Sequence, residues 1–339
     1  MIIRSKAPLR LGLAGGGTDV SPYSEIFGGA VLNATINLYA YATIIPGGDK
    51  TLFRAEDKNE AVEIVSETVP GPSGSFTIAK GVYNRVISEF RLKPSAFSLT
   101  TYVDAPAGSG LGSSSTLAVA ILGAFAEWYR LPLGEYDIAR LAWDIERNDL
   151  GMAGGKQDQY AATFGGFNFM EFSGNGKVIV NPLRIRDQIL NELSNNILLY
   201  YTSTSRLSSS IIAEQQRNVR NEVKVSVEAM HRLKELSVRM KEVILKGELD
   251  ELGELFNLSW EYKKQMAGGI TNRDIDRIYE AALDAGATGG KISGAGGGGF
   301  IFFYCPGNTR YRVLRALEQF GGREQKYQFT KNGLVTWTI

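Results

Sequence analysis

The spacing of hydrophobic positions changes from segment to segment, and the changes predict strands alternating with helices. Residues 2–13 and 31–45 are rich in apolar, β-branched or aromatic side chains, and each run ends near glycines, as strands bounded by turns do. Residues 76–90 carry Ile78, Val82, Val86 and Ile87 at helical spacing, and 97–103 return to strand character. Residues 113–129 have Ala, Leu, Val, Ile and Phe on every side, the pattern of a buried helix. A helix over 133–147 and a strand over 165–172 complete the first half. A strand at 197–201 opens the second half. Long helical patterns follow over 208–246 and 249–266, with a break near 217–222. A helix over 272–285 has Asn272 or Thr271 as its cap and Gly286 as its stop. The chain closes with a strand (300–305), a helix (309–320) and two strands (325–329, 334–339). This order predicts an α+β chain with a boundary near 182–196, dividing it into units 1–185 and 186–339.

Composition narrows the chemistry. With 339 residues, 44% hydrophobic and 22% charged, the chain is long enough for two packed domains of ordinary globular composition. Lys plus Arg (37) almost balances Asp plus Glu (36), so no global basic field recruits nucleic acid or an anionic membrane, and an anion must be held locally. The first residues turn charged at once and no run reaches ~18 apolar residues, so neither export nor membrane spanning is expected. One cysteine, Cys305, permits no internal disulfide, which fits a reducing, cytoplasmic setting. One histidine, His231, excludes Ser-His triads and histidine metal sites, so a general base here should be a carboxylate.

Glycine is the compositional outlier at 39 residues, and three clusters concentrate it. The strongest runs Pro106, Ala107, Gly108, Ser109, Gly110, Leu111, Gly112, Ser113, Ser114, Ser115 between a strand and a helix. Such a loop curls its amides into a concavity, and the helix start adds unpaired N–H groups and a positive dipole end, which together make a phosphate cradle. The three serines offer hydroxyls to phosphate or Mg²⁺; a flexible turn with Ser113 as N-cap is the plainer alternative. The loop is neither a Walker A motif nor a dinucleotide fingerprint, because no Gly-Lys is followed by Ser or Thr and Gly108, Gly110 and Gly112 are two apart. A second cluster puts Arg10 on a strand that ends in Gly15, Gly16, Gly17, Thr18 and Asp19, where a carboxylate could accept hydrogen bonds from a polyol. The third begins at Lys291 and holds five glycines in the six positions 294–299, a bare backbone that calls for a ligand or another glycine loop against it. Two carboxylates stand near these clusters: Glu146 at a helix end and Asp158 after the turn Gly154-Gly155. Phosphoryl transfer needs a metal ligand and a group beside the attacking hydroxyl, although from the residues alone a solvated helix end and a helix-start residue are the more ordinary explanation of each.

These motifs, in this order, resemble the GHMP kinase superfamily of galactokinase, homoserine kinase, mevalonate kinase and phosphomevalonate kinase. The resemblance covers nearly the whole chain. It implies a two-domain fold: a unit like domain 2 of ribosomal protein S5 over 1–185 and a ferredoxin-like unit over 186–339, with ATP and Mg²⁺ bound between them. It also implies roles. The loop from Pro106 through Ser115 wraps the nucleotide phosphates, Ser115 and Glu146 hold Mg²⁺, Asp158 is the catalytic carboxylate and Arg10 faces the transferred phosphoryl group. Gly16, Gly17, Thr18, Asp19, Gly296 and Gly297 contact the acceptor. Gly15-Gly16-Gly17-Thr18-Asp19 departs from the galactokinase turn Gly-Glu-His-Thr-Asp. With residues 28–37 it is similar to the D-glycero-D-manno-heptose 7-phosphate kinases, which phosphorylate the anomeric hydroxyl for nucleotide-activated heptose synthesis. Lys156 and Arg206 are the candidates for the acceptor's phosphate. A fucokinase- or galactokinase-like sugar-1-kinase, a kinase of mevalonate or homoserine, and a non-catalytic sugar or ATP sensor are the alternatives.

Overall fold

The computed structural model describes residues 1–65, 71, 74–204 and 208–339. Strand β1 (Ile3–Ala14) is buried on both faces from Ala7 onward, the environment its near-continuous apolar run requires. Helix α1 (Tyr23–Phe27) leads to β2 (Gly29–Pro46), which pairs antiparallel with β1 across register shifts. Then come β3 (Lys50–Ala55), β4 (Glu60–Val65), α2 (Thr77–Glu89), β5 (Phe97–Val103), α3 (Ser113–Tyr129) and α4 (Glu135–Asp144). One π-helical turn, Ile145–Asp149, extends α4 and is followed by α5 (Gln157–Phe164), β6 (Phe167–Phe172) and β7 (Val178–Pro182). The N-terminal part of β2 pairs with β6 and its C-terminal part with β5, so one long strand serves two branches of the sheet. Helix α3 lies against β1 and β2 with α2, α4 and α5 around it. Its all-apolar surface is thereby explained: Val119, Ile121, Leu122 and Phe125 are fully buried.

The second half contains α6 (Asp187–Asn196), β8 (Ile197–Tyr201), α7 (Ser208–Arg220), α8 (Lys224–Lys246), α9 (Leu252–Lys264), α10 (Arg273–Asp284), β9 (Gly289–Ile292), β10 (Phe300–Tyr304), α11 (Arg310–Leu317), β11 (Arg323–Glu324) and β12 (Val335–Thr338). Strands β11, β8, β10 and β9 form an antiparallel sheet in that order. Asn272 caps α10 as expected, its side-chain oxygen accepting from the amides of Asp274 and Ile275 at 3.0 and 3.1 Å. One core joins the halves, with Leu9, Leu11, Leu32 and Phe167 meeting Leu199, Met240, Phe256 and Phe302. Among the described residues no helix is long and apolar enough to cross a membrane.

Several elements differ from the sequence reading. The last strand leaves the 186–339 unit and pairs with β1, Ile3 opposite Thr338, while Leu334 packs over Gly123 of α3. Nothing in a short apolar strand specifies which of two sheets has a free edge. The strand expected at 325–329 is reduced to β11 just before it and a bridge from Phe329 to Ile36, because Tyr327 and Phe329 turn onto the shared core. Helix α6 occupies the region read as a boundary, and α5, only 8 residues long, is too short for its periodicity to show.

Candidate active site

The loop between β5 and α3 has the shape its glycines allow. Gly108, Gly110 and Gly112 have φ of 72°, 85° and 77°, so alternate residues are left-handed and the intervening amides turn toward one side. A Cβ at Gly110 would collide with the carbonyl oxygen of Ser293, so glycine is required there by contact as well as by φ. Helix α3 starts at Gly112 with no side-chain cap, leaving its first-turn amides to a ligand. Ser113 and Ser114 line the cleft beside this helix start. Pro106, Ser109 and Leu111 instead build the loop. The Pro106 carbonyl accepts from the Ser109 amide, the Ser109 carbonyl from Phe300 N at 2.9 Å, and the Leu111 carbonyl from Arg10 N at 3.1 Å. The partner of the third glycine cluster is therefore this second glycine loop: Gly294 packs on Gly110, and Gly299 on Ser109.

Arg10 sits where the three glycine segments meet. Its Nε and Nη2 each donate to Asp158 Oδ1 at 2.7 Å, while Nη1 donates to the Gly110 carbonyl and, at 3.4 Å, to Ser293 Oγ. Asp158 stands in the first turn of α5, directly across from Gly112. On the other side of the α3 start, Ser114 Oγ donates to Glu146 Oε1 at 3.2 Å, and Gln159 Nε2 donates to both Glu146 Oε2 and Ser115 Oγ. Glu146 is 1% exposed; the π-helical turn after α4 swings it inward, where the straight helix read from sequence would continue. A carboxylate and a hydroxyl, with Gln159 Oε1 buried and unpartnered beside them, are hard oxygen donors of the kind a divalent cation shares with phosphates.

Asp19 stands at the start of α5. Its Oδ2 accepts from the amides of Lys156 and Gln157 at 2.9 and 3.0 Å, and its Oδ1 from Gly17 N and Gln157 Nε2, both at 3.1 Å. It thus caps α5 from a distant segment. Gly16, Gly17, Asp19, Arg10, Ser115, Glu146 and Asp158 all line one cleft of about 750 Å³. A larger depression of about 920 Å³ lies beside Met1 and Glu127 at the other end of α3 and contains no glycine loop.

Residues 77–166 match the GHMP kinases N terminal domain and residues 240–323 the GHMP kinases C terminal domain. Over 338 residues the chain is 48% identical to a D-glycero-alpha-D-manno-heptose 7-phosphate kinase of Campylobacter jejuni subsp. jejuni serotype O:2, with 99% of each chain covered. The chain belongs to the GHMP kinase family. It has the two-domain fold of that family and is a phosphotransferase that uses ATP and an alcohol acceptor. A crystal structure of a D-glycero-D-manno-heptose 1-phosphate kinase from Bacteriodes thetaiotaomicron matches this GHMP kinase with a TM-score of 0.86 and 45% identity, covering 99% of both chains. A Lactococcus lactis galactokinase complexed with galactose has the same fold at a TM-score of 0.80 and 20% identity, covering 98% of this chain and 95% of its own.

Other residues expected to contact the acceptor stand apart from the cleft of this kinase. Thr18 is fully buried; its hydroxyl donates toward the carbonyls of Gly15 and Ala30 and accepts from Ala30 N, which locks the first glycine turn. Lys156 turns away to pair with Glu25 at 3.0 Å beneath Trp143. Burial works to raise the Glu25 carboxyl, but Lys156 and neighbouring serine hydroxyls outweigh it and hold the carboxyl below its usual value. Gly296 and Gly297 pack on Ile270, whose carbonyl accepts from Gly297 N at 2.8 Å. Arg206 lies outside the described residues.

Sequence reasoning missed Arg147 and Lys263 of the cleft wall and named Lys291 only as the start of the third glycine cluster. Arg147 folds its guanidinium onto the carbonyls of Met152, Ala153 and Gly155 and so shapes the segment before α5. Lys263 and Lys291 are 4% and 2% exposed. Burial, and then the positive charge of Arg10, lowers the Lys263 ammonium to about 8, with Asp19 opposing. Burial also pushes Lys291 well below its ordinary value, reinforced by Lys263 and Arg10. The signal for Lys263 was its place on the inward stripe of α9, after Leu252, Leu255, Phe256, Ser259 and Trp260.

Proposed function

We propose that this kinase transfers the γ-phosphoryl group of MgATP to the anomeric hydroxyl of D-glycero-D-manno-heptose 7-phosphate, giving the 1,7-bisphosphate, a precursor for nucleotide-activated heptose. The observation that carries the chemistry is the Arg10–Asp158 pair beside the α3 start, with Ser115 and Glu146 across from it. The choice of heptose rests on the relatives of 48% and 45% identity, whose names both specify a manno-heptose phosphate.

In this reading the amides of residues 108–115 and the dipole of α3 hold the polyphosphate. The nucleoside enters a neighbouring cavity of about 490 Å³ that shares Gly108, Ser113 and Ser114 with the cleft and has Phe76, Ile78, Leu117 and Ile121 in its wall. Ser115 Oγ and the Glu146 carboxylate would hold Mg²⁺, which when bound would offset phosphate charge. Asp158 orients the acceptor hydroxyl and takes its proton, and Arg10 both fixes Asp158 and presents positive charge to the oxygens of the moving phosphoryl group. Because that transition state is loose, positioning and charge carry most of the catalysis. Dependence on ATP together with the lone thiol, Cys305, supports a cytoplasmic setting.

A coupled ADP-release assay tests the reading with heptose 7-phosphate, heptose 1-phosphate, mannose, fucose and galactose, with and without Mg²⁺. The expected kcat/KM for heptose 7-phosphate exceeds that of each neutral sugar by ~10² or more. Preference for heptose 1-phosphate or a neutral sugar would overturn the substrate assignment. Absence of ADP with every acceptor would favour the sensor.

A further inference from the structure

Lys263 and Lys291 are buried ammonium groups in a cleft whose carboxylates are engaged elsewhere. Asp158 is held by Arg10, Asp19 is saturated by four donors, and Glu146 is bonded to Ser114 and Gln159. Neither lysine forms a salt bridge among the described residues. Each has one hydrogen bond, from Lys263 Nζ to the Gly294 carbonyl at 2.6 Å and from Lys291 Nζ to the Leu13 carbonyl at 3.3 Å. An ammonium has three donors, so each lysine has two left over. Burying such charges without a counter-ion is unfavourable, and the downward shifts above are the response to that burial. Both groups line the cleft together with Arg10.

Their surroundings reach toward the first glycine turn. Lys291 reaches the end of β1, just before the turn at Gly15–Gly17, and Lys263 lies within electrostatic range of Asp19. Met266, three residues after Lys263, touches Gly17. The lysines therefore sit toward the first glycine turn. The loop amides and the α3 start, which serve the polyphosphate, line the same cleft.

We propose that Lys263 and Lys291 form the subsite for the phosphate that the acceptor sugar already carries. This rests on the sugar-phosphate reading above and supplies the recognition that Lys156, tied to Glu25, does not. A phosphate dianion is the matching ligand: it neutralises two adjacent ammonium groups and offers several oxygens to their four spare N–H donors.

Lys263→Met and Lys291→Met keep the aliphatic stem and remove the charge, so the fold should hold with an unchanged or higher Tm. Each is expected to raise KM for heptose 7-phosphate about 10-fold or more, while KM for ATP stays within about threefold. Calorimetry with inorganic phosphate, the nucleotide site being filled by a non-hydrolysable ATP analogue, supplies a readout independent of turnover. At pH 8 phosphate should bind the wild type with net proton uptake, since an anion raises the proton affinity of Lys263 and Lys291. Lys263→Met should lower that uptake, and the double variant Lys263→Met/Lys291→Met should abolish it. An equal rise in KM for ATP, no rise at all, or phosphate binding with identical proton uptake in the double variant would overturn the subsite. If the wild type turned over no acceptor, the kinase reading would fail while the calorimetry still decided this one.

Discussion

Replacing Asp19 by asparagine changes one heavy atom and almost no volume, yet the surroundings of that atom make it a demanding test. Four donors converge on the carboxylate: the amides of Lys156, Gln157 and Gly17, and Gln157 Nε2. An asparagine has one oxygen, so in either orientation two of these donors meet an NH₂ group and lose their acceptor. Hydrogen bonds to charged groups contribute roughly 1.5–3 kcal/mol each, and at 1% exposure water does not replace them. Allowing for relaxation, the expected loss is about 3 kcal/mol, which corresponds to a fall in Tm of about 4 °C for a chain of this size. With the NH₂ group toward Lys156 N and Gln157 N, the start of α5 loses its cap, and because the first turn of α5 also carries Asp158, turnover should fall about 10-fold through misplacement of the proposed catalytic carboxylate. Differential scanning calorimetry and steady-state kinetics on one preparation measure both effects. If Asp19→Asn melted within about 1 °C of the wild type and altered only the KM for sugar, the carboxylate would be serving the acceptor and not the helix, and the reasoning would be refuted.

Asp158→Asn should lower kcat by at least ~10² with ATP affinity near normal, read by ADP release and by nucleotide titration; near-full turnover would remove Asp158 from its role. Glu146→Gln should raise the Mg²⁺ concentration for half-maximal activity about 10-fold, and an unchanged Mg²⁺ titration would show that the metal is held elsewhere. Lys263 gives a pH signature of defined sign. Its proton affinity is lowered from 10.5 to about 8 on folding. Below pH 8 both states bind the proton and the burial penalty is complete. Between about pH 8 and 10.5 the unfolded chain holds more protons, so the ligand-free wild type gains stability relative to Lys263→Met as pH rises. Melting temperatures of both proteins across this window should converge, and a constant gap would contradict the shift.

Much of the architecture was legible where a segment's own pattern was sufficient. Helix α3 spans 113–129 and β8 spans 197–201 as read, because an all-apolar helix and a bounded β-branched and aromatic run are unambiguous. The glycine clusters were legible for a related reason: Gly108, Gly110 and Gly112 mark left-handed backbone that few other residues tolerate. The π-helical turn carrying Glu146 was not legible, since one inserted residue in a helix leaves no change in composition.

The sequence by itself determined which segments could curl around an anion, which helix would be buried, and that any base would be a carboxylate. These follow from local backbone sterics and from side-chain inventory, and both travel with the chain. Tertiary structure alone decided who pairs with whom. Arg10 finds Asp158 across 148 positions and Asp19 caps a helix 138 residues away. Lys156 spends its charge on Glu25, while Lys263 and Lys291 come to rest near Arg10 with no ion-pair partner among the described residues. Burial and pairing are properties of the packed interior, where the same lysine is a solvated tail or an anion trap according to what the fold brings alongside it.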